Sequence, residues 1–120
     1  MDKRILIDTD VLIEYVKGNL ELPYTQVFIT EITLYEFIRG TKDIKRAKKI
    51  LEESFNVIFH DNTIIQKASE IWASLKKSGQ LIDDRDLLIA ATSITNDLPL
   101  MTRNKKHFER LKAFGLKLFD

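Results

Sequence analysis

A chain of 120 residues is long enough to bury about two-thirds of its unfolded surface as one domain without staples. It has no cysteine, which excludes disulfides, thiol catalysis and thiolate metal sites and suits a cytosolic, cytoplasmic setting. With 19 basic residues against 18 acidic there is no overall field to mark a nucleic-acid binder; no apolar run nears a membrane span, and the N-terminus lacks a signal-peptide pattern.

In chain order, Lys3 to Ile7 is a short apolar run ending at Asp8, which predicts a buried strand. Asp8-Thr9-Asp10 offers caps for a helix over Val11 to Lys17 that stops at Gly18, and Asp10 is the expected cap, which frees Asp8 for function. Gln26 to Ile29 is a second strand ending at Thr30, after which Thr33 and Glu36 match a capping box for a helix ending at Arg39. Ile44 to Phe55 reads as a basic amphipathic helix with Ile44, Ala47, Ile50 and Leu51 inward. Asn56 to Phe59 is the third strand. A long helix from about Thr63 to Lys77 follows, with Ile64, Ala68, Ile71, Trp72 and Leu75 inward, and Gly79 breaks it. After the stretch beginning at Leu81, Leu98 to Met101 is a fourth strand ending at Thr102, Lys105 to Lys112 a basic helix, and Leu116 to Phe119 a closing strand. The whole of 1–120 thus reads as a single α/β domain, with a four- to five-stranded parallel sheet covered on both faces.

The most informative stretch is Leu81 to Ile94. Asp83, Asp84 and Asp86 run straight into eight small or apolar residues, which predicts a buried helix emerging from the core at its acidic end. One acid suffices to cap such a helix; three together repel one another unless a cation or basic group sits among them. In a parallel sheet, ligands sit outside the carboxyl ends of the strands where strand order reverses. On that rule Asp8, Glu36, Asp84, Asp86, Thr102 and Asn104 can converge on one rim. An all-carboxylate site suits Mg²⁺ or Mn²⁺, and such ions serve phosphodiester or phosphomonoester hydrolysis. The basic helices would hold the polyanion that the acids repel. His60 and His107 form no ligand pair, so zinc is not expected, and no glycine-rich phosphate loop is present.

LIDTDVLIEYVKG, ITEITLYEFIRG, DDRDLLIAATSI and LMTRNKKHF, in that order along the chain, resemble the PIN-domain family, and most of all its small VapC-type toxin nucleases. The resemblance implies a three-layer α/β/α fold and a Mg²⁺- or Mn²⁺-dependent endoribonuclease, often a homodimer, silenced by a VapB-like antitoxin. Carried over by motif, the metal acids are Asp8, Glu36 and Asp86, with Thr9, Thr102 and Asn104 lining the pocket. Position 10 is Asp where the family often has Asn or Ser, and His107 stands where many members place a fourth acid. Asp84 is then the expected substitute, as a water-mediated ligand, with Asp83 as the helix cap. Clustered acids in a cleft also form a receptor for arginine, so the antitoxin is expected to place an Arg or Lys at this rim in competition with metal. Exchanging Asp8 or Asp86 for Asn should abolish activity and, without metal, stabilise the fold by relieving repulsion. An RNA-processing nuclease outside a toxin system is the alternative within the family. From another class, a phosphoacceptor receiver domain would use Asp8 and Asp10 as metal pocket, Asp61 as acceptor, Thr102 as hydroxyl and Lys117 as lysine, leaving the Asp83–Asp86 cluster without a task.

Overall fold

The computed structural model describes residues 3–22 and 26–119. Arg4–Ile7 (β1), Gln26–Thr30 (β2), Asn56–Ile58 (β3) and Leu100–Met101 (β4) form one sheet in the order β3-β2-β1-β4, all pairings parallel. Leu6 lies opposite Phe28 on one side and Leu100 on the other. The helices are Thr9–Val16 (α1), Glu31–Ile38 (α2), Ile44–Ser54 (α3), Asn62–Lys77 (α4), Asp84–Thr95 (α5) and Lys105–Phe108 (α6).

The two-residue period of the strands sorts their side chains into two cores. Ile5, Ile7, Val27, Ile29, Val57 and Met101 meet Val11 and Leu12 of α1, Leu34 of α2 and Leu51 of α3. Leu6, Phe28, Ile58 and Leu100 meet Ile71 and Leu75 of α4, Leu87, Ile89 and Ala90 of α5, and Phe108. The result is a three-layer α/β/α sandwich. The apolar α5 is buried as its sequence requires, and Ala91 packs with Ile64 and Ala68 of α4. Its buried hydroxyls are satisfied at home: Thr92 donates to the Leu88 carbonyl at 2.7 Å, and Ser93 to that of Leu98. Among the described residues no helix is long and apolar enough to cross a membrane.

Several elements differ from the sequence expectation. The closing strand is reduced to one bridge between Leu118 and Leu100. The last helix ends at Phe108, and a 3₁₀ segment, Glu109–Phe114, continues it to Gly115. In α3 only Leu51 is buried, while Ile44 and Ile50 are 52% and 50% exposed, because α3 meets the sheet through its C-terminal turn and the following Phe55. Trp72 is not core: it is 38% exposed, with the Lys76 ammonium 4.9 Å from its ring centre.

Candidate active site

The first and last strands are neighbours, with β2 and β3 on the far side of β1. Strand order therefore reverses between β1 and β4, and a crevice opens at their carboxyl ends. Asp8 stands at the end of β1 and Thr102 at the end of β4. The Thr102 hydroxyl donates to Asp8 Oδ2 at 3.0 Å, and the Asp8 amide donates to the Met101 carbonyl at 2.9 Å. Asp8 Oδ1 accepts from the Thr9 amide at 2.7 Å and so caps α1. The cap was expected at Asp10, with Asp8 released from that duty; Asp8 instead caps and faces the crevice at once. Asp10 Oδ2 accepts from the Arg103 amide at 3.1 Å, while its Oδ1 is buried without a partner. Burial first, and the Asp8 charge second, push the Asp10 carboxyl above its usual range.

The capping box at Thr33 is not formed. The N-cap of α2 is Thr30, whose hydroxyl accepts from the Thr33 amide at 3.1 Å. The helix thus begins directly where β2 ends, and Glu36, freed from any capping role, sits in its second turn. Its carboxylate accepts from the Thr9 hydroxyl at 2.6 Å, and that hydroxyl lies 3.0 Å from the hydroxyl of Thr33. Burial pushes the Glu36 carboxyl up, but hydrogen bonds from Arg85 and Thr9 outweigh it, and the group titrates below its usual value.

Asp86 comes from the first turn of α5 and is 6% exposed; Asp8 is 3% exposed. Between them lies Arg85, which the sequence reading passed over. Its Nη2 donates to Asp8 Oδ1 at 2.7 Å, its Nε to Glu36 Oε2 at 2.8 Å and its Nη1 to Asp86 Oδ1 at 2.7 Å. One guanidinium therefore binds a carboxylate from each of three distant segments. Burial alone would lower the Arg85 pKa, but the Glu36 hydrogen bond and the Asp8 charge raise it instead. A signal for it existed. A cation in the first turn of a helix opposes the helix dipole, so an arginine there needs a partner elsewhere.

His107 joins the site: its Nδ1 lies 3.3 Å from Asp86 Oδ2. Asn104 enters by its backbone, its amide donating to Thr102 Oγ1 at 3.1 Å. One cleft beyond Asp86 is lined by Lys106, His107 and Arg110, and another beside Thr102 by Arg103, Asn104, Lys105 and Lys106. Asp84 lies elsewhere. It lines a groove between α4 and α5 with Ile65, Ala68, Trp72 and Leu88, because residues two apart on a helix point to nearly opposite sides. Asp83 holds the N-cap position without a side-chain cap bond.

Oxygen donors from Asp8, Glu36 and Asp86 make a set suited to a hard cation. Among the described residues, however, no three acidic or imidazole groups stand close enough to share an ion, because the carboxylates are spread around the guanidinium. The donor chemistry fits a hard cation, while the spacing around the guanidinium does not bring three of these groups onto one ion.

Fold and crevice define an α/β/α sandwich with an acidic site at the reversal of a parallel sheet. The PIN domain profile matches residues 2–113, and the chain belongs to that family. It is 47% identical over 121 residues to the ribonuclease VapC1 of Methanocaldococcus jannaschii, across 99% of this chain and 89% of that protein. Among solved structures, VapBC-1 from nontypeable Haemophilus influenzae matches with a TM-score of 0.80 and 25% identity, covering 98% of this chain and 97% of that one. DNA-bound VapBC from Salmonella typhimurium matches with a TM-score of 0.80 and 26% identity over 100% and 98% of the two chains. The receiver-domain alternative falls with this membership. Its supposed acceptor Asp61 caps α4 through the Ile64 amide at 3.0 Å, and its supposed lysine, Lys117, pairs with Asp97 at 3.1 Å.

Proposed function

We propose that this chain is a Mg²⁺- or Mn²⁺-dependent endoribonuclease, the toxin of a VapBC-type pair. The reading is carried by one observation: Asp8, Glu36 and Asp86 gather from three segments around one positive charge in the crevice of a parallel sheet. The likeness to a ribonuclease over nearly the whole chain supports RNA as the substrate. Asp8 and Asp86 would hold the metal ion directly, with Glu36 as a further ligand or as the holder of a water. An ion held there would supply a more acidic bound water and positive charge for the phosphate under in-line attack.

The remaining work belongs to the chain. Thr102 and the Thr9 amide fix the two oxygens of Asp8, and the Thr9 hydroxyl fixes Glu36, so the carboxylates are oriented before any ligand arrives. Lys106 and Arg110 beside Asp86, with Arg103 near Thr102, form a positive rim that would hold the RNA backbone against the repulsion of the acids. Likeness to VapBC complexes supports a VapB-like antitoxin as partner, and a homodimer is part of the same proposal. The test is RNA cleavage with Mg²⁺ or Mn²⁺, with chelator, and with Asp8→Asn and Asp86→Asn. Cleavage should require the metal and vanish in both variants. Full cleavage in chelator, or by either variant, overturns the reading.

A further inference from the structure

Three bonds from Arg85 place a positive charge between the carboxylates, where a metal ion would sit. Asp8 Oδ1 and Asp86 Oδ1 both accept from the guanidinium, Asp8 Oδ2 accepts from Thr102, and Asp86 Oδ2 faces His107. An ion bridging Asp8 and Asp86 would therefore take the place that the guanidinium fills between their Oδ1 atoms. The two aspartates are fixed from behind by buried secondary structure, whereas the Arg85 side chain is 30% exposed and long enough to turn toward the rim. The occupant is the more movable part; the carboxylates, too far apart around it to share an ion, would close in once it leaves.

From this geometry we infer that Arg85 is an exchangeable internal counterion: it fills the cation position of the metal-free protein, keeps the three carboxylates gathered, and leaves when a divalent ion binds. The inference rests on the metal-dependent reading above. It makes Arg85 a positioning residue that competes with the ion. It also accounts for how buried acids persist in the metal-free chain, since each has a charged partner. The Asp10 carboxylate, close enough to feel the Asp8 charge, and the His107 imidazole beside Asp86 are the other titratable neighbours, and neither supplies a permanent positive charge in place of the guanidinium.

The test uses the full chain, as wild type and Arg85→Gln, with Mn²⁺ as the probe. Titration calorimetry measures Mn²⁺ affinity, and thermal melting is recorded in chelator and in saturating Mn²⁺. Exchange requires the variant to bind Mn²⁺ about tenfold or more tightly, since charged hydrogen bonds no longer have to be broken. It also requires a lower melting temperature in chelator and a larger rise on adding Mn²⁺ than in wild type. Affinity equal to or weaker than wild type overturns the exchange and leaves the metal reading standing. Absence of Mn²⁺ binding in both proteins overturns both. Should Arg85→Gln fail to fold, ¹⁵N-labelled wild type provides the readout. The Arg85 Nε–H signal, shielded in chelator by its bond to Glu36, should lose that protection as Mg²⁺ saturates the site. A signal still protected at saturation overturns the proposal.

Discussion

Asp8→Asn tests the metal-free site most directly, because repulsion and pairing give opposite signs. Considered as one of several clustered acids, Asp8 should gain stability on losing its charge. In the structure its carboxylate is buried and takes hydrogen bonds from the Thr9 amide, Arg85 and Thr102 at 2.7, 2.7 and 3.0 Å. Asparagine caps helices about as well as aspartate, so the bond to Thr9 survives. The Thr102 hydroxyl can turn to accept from the new amide. What is lost is the charge on the bond to Arg85. Breaking a buried pair costs up to about 3–5 kcal/mol, but Arg85 keeps Glu36 and Asp86 and is partly exposed, which reduces the cost to about 1–2 kcal/mol. With an unfolding entropy of roughly 2 cal/mol/K per residue, this lowers the melting temperature by about 4–8 °C. Thermal melts of both proteins in chelator measure it. A variant melting at or above wild type would show that repulsion dominates, and the pairing argument would be refuted.

Two further outcomes follow from the elements around the site. Thr30→Val removes the buried N-cap of α2 and leaves the Thr33 amide without its acceptor, at a cost of about 1–2 kcal/mol by denaturant unfolding, whereas Thr30→Ser should restore most of it. Asp84→Asn should leave Mn²⁺ affinity unchanged in calorimetry, since the side chain faces the α4–α5 groove; a clear loss of affinity would return Asp84 to the site.

The fold was legible because its strands are short apolar runs and its helices amphipathic or wholly apolar, and β1, β2 and β4 run into polar residues at Asp8, Thr30 and Thr102. Asp8 and Thr102 could be placed on one rim from topology alone. Arg85 could not. Two of its three carboxylate partners lie 77 and 49 positions away, and locally it shows only as a cation between two acids at a helix start. Asp84 is near Asp86 in sequence but not in space, because the helix turns about 200° between positions 84 and 86. The capping box failed because β2 and α2 abut without a loop. Thr30 both ends the strand and starts the helix, and the matching motif three residues on was coincidence. Ile44, Ile50 and Trp72 followed helical spacing, but spacing gives a stripe and not the length of it that another layer covers.

The two cores are built from interchangeable materials: isoleucine, valine and methionine on one face of the sheet, leucine, phenylalanine and isoleucine on the other. Slipping β1 by one residue exchanges Ile5 and Ile7 for Leu6, and oil on both sides barely objects. Hydrophobicity alone is thus a poor judge of phase in this sheet. The stricter judges are the polar residues at the strand ends, Asp8, Thr30 and Thr102, each buried and each bonded across or along the carboxyl edge. A slip would carry Asp8 into an apolar layer and strip Thr102 of its acceptor. Asp8, which would bind the metal, and Thr102, which orients it, are therefore also punctuation that tells β1 and β4 where to stop.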